Sequence, residues 1–98
     1  MKCEFHPEAE FDVIEAAAHY ELEVPGLGIR FGNEVERVVE LLIENPKLGA
    51  PVEGDIRHFI LRQFPFSVIY AEAGGNLYIL AIAHGSRKPG YWSDRIGR

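Results

Sequence analysis

The chain has 98 residues, with 10 Lys+Arg against 15 Asp+Glu, a formal net charge of −5, 47% hydrophobic and 26% charged residues. That is one domain's worth of chain with a globular balance, which excludes two separate cores and wholesale disorder. The longest uninterrupted apolar run, Leu77–Ala83, is seven residues, far short of the roughly 20 that span a bilayer. Met1-Lys2-Cys3-Glu4 leads into acids rather than an apolar core, so no secretory signal and no membrane association are expected and the chain reads as cytoplasmic. Cys3 is the single cysteine, which excludes an internal disulfide and any Cys-pair zinc site. The charge is unevenly divided. Residues 1–53 carry four basic and twelve acidic residues (4 − 12 = −8) and residues 54–98 carry six and three (6 − 3 = +3). An acidic first half and a basic second half allow an anion-facing surface despite the low overall charge.

In chain order, Cys3–His6 is a short candidate strand. His6-Pro7-Glu8 predicts a helix start, because proline fits the first helical position and Glu8, Glu10 and Asp12 suit the positive end of the dipole. A helix is expected over 8–23, with Phe11, Ile14, Ala18 and Leu22 stepping along one face. Val24-Pro25-Gly26 ends it. A second helix over 28–44 carries a clear stripe of Phe31, Val35, Val38, Val39, Leu42 and Ile43, and stops at Asn45-Pro46. A linker of three or four residues makes the two an antiparallel hairpin. Lys47–Asp55 reads as loop, since Gly49, Pro51 and Gly54 break any period. Strands follow over 56–64, 67–72 and 77–84, with Pro65 and Gly74-Gly75-Asn76 as the turns. Leu77–Ala83 is apolar at every position, so this strand is expected to be central. The helix pair covers one of its faces, and some other element, such as a partner, must protect the second. The plan is a single α+β domain over 1–98, β-α-α-β-β-β, with the hairpin on one face of a small, mostly antiparallel, twisted sheet.

No Walker loop, glycine fingerprint or metal-ligand spacing occurs, and His6, His19, His58 and His84 are scattered. No metal and no cofactor are expected. The chemistry-bearing group is Arg57, His58, Arg62, His84, Arg87, Lys88, Tyr91, Trp92 and Arg95. Arginine with aromatics suits phosphate or single-stranded nucleic acid. RNA cleavage needs a base, an acid and cations, for which His84, Tyr91 and the arginines are candidates. The alternative is structural: Arg57 and Arg62 pair with helix carboxylates while Tyr91-Trp92 packs the tail onto the core.

Phe5-His6-Pro7-Glu8-Ala9-Glu10, Glu34-Val35-Glu36-Arg37, Asn45-Pro46-Lys47-Leu48-Gly49, Arg57–Phe66, Ile79–His84 and Arg87-Lys88-Pro89-Gly90-Tyr91-Trp92 together resemble the RelE/ParE superfamily of type II toxin–antitoxin toxins. The resemblance covers nearly the whole chain in order. It implies a toxin, of the kind associated with plasmid stabilisation, neutralised by a cognate antitoxin in a higher-order complex. Two targets are open: DNA gyrase, bound by ParE-like members, and the ribosome with its mRNA, cut by RelE-like endoribonucleases. A non-toxic relative that only binds antitoxin is a third reading. In the nuclease reading His84 and Tyr91 are catalytic; Arg57, Arg62, Arg87, Lys88, Trp92 and Arg95 contact target or phosphate. His58 and Gln63 stand where relatives often have arginines, and the net charge opposes approach to dense phosphate. The ParE-like, gyrase-binding reading is therefore preferred. The antitoxin is expected to be partly disordered when free, to fold on exposed apolar surface, and to present Lys or Arg where it crosses the acidic helices.

Overall fold

The computed structural model describes residues 1–96. The elements in order are β1 (Cys3–Phe5), α1 (Pro7–Glu23), α2 (Leu27–Glu44), β2 (Ala50–Glu53), β3 (Ile56–Ile60), β4 (Phe66–Ala73), β5 (Asn76–His84) and a 3-10 turn at Ser93–Arg95. Helix α1 starts as the sequence predicts, and His6 adds a cap: its Nδ1 accepts from the Glu8 N–H at 3.1 Å. That bond satisfies one of the donors a helix start leaves without an intrahelical partner. The hairpin turn is built by Glu21, whose carboxylate accepts the N–H groups of Gly26 (2.7 Å) and Gly28 (3.0 Å). A Cβ on Gly28 would sit 2.4 Å from the Ala17 carbonyl oxygen, so glycine is what lets the helices approach here.

The sheet runs β1-β5-β4-β3-β2, with β1 parallel to β5 and every other pairing antiparallel. The α+β plan follows expectation; β5 is internal, between β1 and β4, though β4 and not β5 is the middle strand, and three further details differ. First, residues 50–53, expected as loop, form edge strand β2 on β3. Pro51 cannot donate to a ladder, which confines such a strand to an edge; the pairing also shifts register between Pro51 and Glu53. Second, β3 ends at Ile60, short of the expected Phe64. The Leu61 N–H turns back to the Phe66 carbonyl at 2.9 Å, and Gln63 takes a left-handed φ of 67°. Arg62 therefore lies in a bend and not on a strand.

Third, β5 is bulged. Tyr70 pairs with Ile79 and Ile69 with Ala81, leaving Leu80 as the extra residue. Ile79 and Ile82 both face the helices, in one cluster with Phe31, Val38, Leu42 and Tyr70, while Leu80 and Ala81 both face away. His84 thus shares the helix-facing side with Ile82, not with Leu80 as strict alternation requires.

Part of the far face of the sheet is covered by the chain itself. Trp92, 4% exposed, packs on Ile56, Ile69, Leu80 and Ala81, with Tyr91 and Ile96 at its margins. Over Leu80 and Ala81 the cover for the second face of β5 therefore comes from the tail, while Tyr78, with Ala71 and Ala73 of β4, lines an open depression of about 750 Å³. The most exposed large apolar side chains lie elsewhere. Phe11 (59%), Ile14 (66%) and Leu22 (88%), the face of α1 that steps most regularly in the sequence, point to solvent. The core is reached instead by Ala9, Val13, Ala16, Ala17 and Tyr20.

Candidate interface and the His84 pocket

Strand β1 reaches only as far as Ile79 along β5. Beyond it the open edge of β5 is closed by two side chains. Asp12 Oδ2 accepts the Ile82 N–H at 3.1 Å, and Arg95 Nη1 donates to the Leu80 carbonyl at 2.9 Å and to Asp12 Oδ2 at 2.9 Å. Arg95 is 8% exposed. Burial works against its charge, but the bond to Asp12, together with electrostatic attraction to Asp12, Tyr91 and Glu8, outweighs that and holds its pKa above the ordinary arginine value. Such a pair matters most when broken, because one charge is then left buried alone. Trp92 and Arg95, both expected on the binding face, are turned inward. They rivet the tail to α1 and β5.

What the riveted tail leaves outside is Arg87 and Lys88, both exposed, and the edge of Tyr91. The Arg87 guanidinium stacks over the Tyr91 ring, 3.9 Å from its centroid. Together with Asp12, Glu15, His19, Tyr20, Phe66, Ile82, His84 and Ser86, Arg87 and Tyr91 line a shallow depression of about 570 Å³ between α1 and the end of β5. This depression brings together the two candidate proton-transfer groups, His84 and Tyr91. Their local chemistry is specific. His84 Nδ1 accepts the Ser86 N–H at 2.9 Å, with Ser86 Oγ 2.7 Å from the same nitrogen, and the ring edge meets Phe66 at a centroid distance of 4.9 Å. With the lone pair of Nδ1 engaged, the neutral ring carries its proton on Nε2 and offers a donor rather than a base. Tyr91 is raised above the ordinary phenol value, first by burial and then by the Asp12 carboxylate, so it stays a neutral phenol. Asp12 and Glu15 place negative charge on the depression's own wall.

The remaining arginines do not converge on it. Arg57 lies on the helix face of β3 beside Tyr70, and its Nη1 donates to the carbonyls of Gly49 (2.7 Å) and Lys47 (3.2 Å). It braces the loop where Tyr70 Oη donates to the Pro46 carbonyl at 2.7 Å and accepts the Gly49 N–H at 2.8 Å. The register sets Arg57 opposite Tyr70 and His84 opposite Phe66. That is four residues along β4, about 13 Å at about 3.3 Å each, and two strands across. Arg62 lies on a different flank again, against α2, where its backbone N–H donates to Glu34 at 2.6 Å. His58, one residue from Arg57, faces the opposite side of the sheet.

A second surface has no catalytic character. A groove of about 490 Å³ runs between the outer faces of α1 and α2, floored by Phe5, Val13, Ile14, Val35 and Val39 and rimmed by Glu10, Glu36 and Glu40. Sequence reasoning foresaw acidic helices and the Phe11–Leu22 stripe but did not say which way the stripe faces. It also missed Asp12 and Ser86. Asp12 is one acid among many at the start of a helix. Ser86, two residues after His84, is the kind of side chain that closes a local turn. Among the described residues, no group of three or more His, Cys, Asp or Glu side chains is placed to hold a metal ion, and no helix is long and apolar enough to cross a membrane.

A two-helix hairpin on a mixed sheet, with an acid-rimmed apolar groove and a riveted basic tail, defines a small α+β domain. The sequence matches the family described as ParE toxin of type II toxin–antitoxin system, parDE, over residues 3–89, and the chain belongs to that family. Among solved structures it is similar to a chain described as the chromosomal ParDE TA system from P. aeruginosa, with a TM-score of 0.76 and 24% identity. The match covers 86% of this chain and 95% of that one, a likeness of fold. No curated protein sequence matches.

Proposed function

We propose that this chain arrests growth by binding DNA gyrase, and that a cognate antitoxin neutralises it by laying an amphipathic segment along the α1/α2 groove. The observation that carries the target reading is the state of His84. Its Nδ1 is engaged by Ser86, Asp12 and Glu15 stand on the same wall, and although Arg87 lines the depression, neither Arg57 nor Arg62 stands beside it. A nuclease needs base, acid and phosphate-binding cations within reach of one phosphodiester. A binding toxin needs only a rigid exposed patch, which Arg87, Lys88 and Tyr91 supply on the tail fixed by Trp92 and Arg95. Arginine and tyrosine are the residues enriched at interface hot spots.

The groove supports the antitoxin reading. Its floor is apolar and its rim is carboxylate, so the complementary segment carries apolar anchors at helical spacing flanked by Lys or Arg. The test is gyrase supercoiling with purified protein, alongside ribosome-dependent mRNA cleavage. Wild type and His84→Ala are expected to inhibit supercoiling equally, and Arg87→Ala/Lys88→Ala/Tyr91→Ala to lose inhibition with its circular dichroism intact. Ribosome-dependent cleavage of mRNA that disappears in His84→Ala would overturn the proposal.

A further inference from the structure

On the flank away from the basic tail, Arg30, Asn33, Glu34 and Arg37 of α2 meet Arg62, Gln63 and Phe64 of the bend after β3 around a depression of about 360 Å³. Arg30 and Arg37 are spaced at i, i+7 on one helix face, and Glu34 stands between them. The two Glu34 oxygens are fully engaged: Arg37 Nε and Nη2 donate to them at 2.8 and 2.9 Å, and the Arg62 N–H donates at 2.6 Å. The bonds from Arg37 lead the causes that hold the Glu34 carboxyl below its ordinary range. Three guanidinium groups against one carboxylate leave a local charge of +2 on a chain whose total is −5. Neither the Arg30 nor the Arg62 guanidinium has a hydrogen bond or ion pair among the described residues.

We infer that this cluster is a docking site for an acidic polypeptide segment that places two carboxylates, one on Arg30 and one on Arg62. The site already displays the required recognition, because Arg37 grips Glu34 with the two-pronged geometry that suits a carboxylate. The Asn33 and Gln63 amides beside it can bond a peptide backbone. A nucleic acid fits less well. Its phosphates follow one another along a track, whereas the three guanidinium groups here form one compact patch with a single carboxylate among them. The site is separate from both surfaces of the proposed function and does not depend on that reading.

The test is fluorescence anisotropy with a labelled peptide of alternating Glu and Gly, and with a single-stranded oligothymidylate of equal charge, at physiological salt. The peptide is expected to bind saturably, with Kd raised at least about tenfold in Arg30→Gln/Arg62→Gln and by less in Arg30→Lys/Arg62→Lys. Arg87→Gln should leave Kd within about twofold. Folding is not at risk in these variants, because Arg62 holds Glu34 through its backbone N–H; thermal melts check this. Tighter binding of the oligothymidylate than of the peptide, equal peptide binding by wild type and the Gln variant, or no saturable binding would each overturn the inference.

Discussion

The two helices of the hairpin are nearly equal in length and both are rich in apolar residues, yet they use those residues differently. Helix α2 has one apolar stripe, and Phe31, Val35, Val38, Val39 and Leu42 on it are all buried. Helix α1 has two. Its small residues Ala9, Ala16 and Ala17, with Val13 and Tyr20, face the sheet, while its large ones, Phe11, Ile14 and Leu22, face water. Helix α2 thus puts its stripe into the monomer's core, with Ile29 in its first turn left 68% exposed and Val35 and Val39 reaching the floor of the groove. Helix α1 meets that core with small side chains and keeps its largest apolar surface for something outside the fold, which is how an interaction face differs from a core face.

Substitutions along the two helices break or sharpen that contrast. On α2, Phe31→Ala removes a fully buried ring that meets Tyr20, Phe64 and Phe66 at centroid distances of 5.0–5.4 Å. It should cost about 3–5 kcal/mol in urea unfolding, as large-to-small core changes do. On the tail side of α1, Arg95→Met is expected to cost about 2–4 kcal/mol, because Asp12 is left nearly buried without its cation. Restoring part of that loss in Asp12→Asn/Arg95→Met would confirm that the pair acts as a unit.

A smaller effect tests the outer flank of α2. The lowered carboxyl of Glu34 means that the folded state holds its proton less tightly than the unfolded chain. Its stabilisation is therefore fully present above the ordinary glutamate range and is lost as pH falls through the folded value. Glu34→Gln should be less stable than wild type by about 1 kcal/mol at pH 7, with the gap closing as pH falls from the ordinary glutamate range through the lower folded value. The smallest effect belongs to the outer face of α1: Leu22→Ser should change the unfolding free energy by no more than about 0.5 kcal/mol.

Much of this was legible in the sequence. The proline at the start of α1, the Asn45-Pro46 stop and the stripe of α2 located both helices, and the run Leu77–Ala83 marked an internal strand, one place from the middle of the sheet. Where the reading failed, tertiary context had overridden local pattern. Pro51 and its glycines read as loop because a lone edge strand carries no alternation of its own. The bulge at Leu80 reversed the faces that strict alternation assigns. Regular spacing of Phe11, Ile14 and Leu22 identified the helix, but periodicity alone does not say whether a stripe meets the protein's own core or a partner. Tail chemistry was ambiguous for a similar reason. Trp92 and Arg95 resemble surface recognition residues in composition, and only Asp12, 83 residues from Arg95 in sequence, turns the arginine inward.

The most direct test of the two-faced reading of α1 is paired measurement of stability and antitoxin affinity in Phe11→Ser/Ile14→Ser. An unfolding free energy within about 0.5 kcal/mol of wild type, with Kd for the cognate antitoxin raised at least about tenfold, is the predicted result. An unchanged Kd, or a stability loss on the scale of Phe31→Ala, would contradict it.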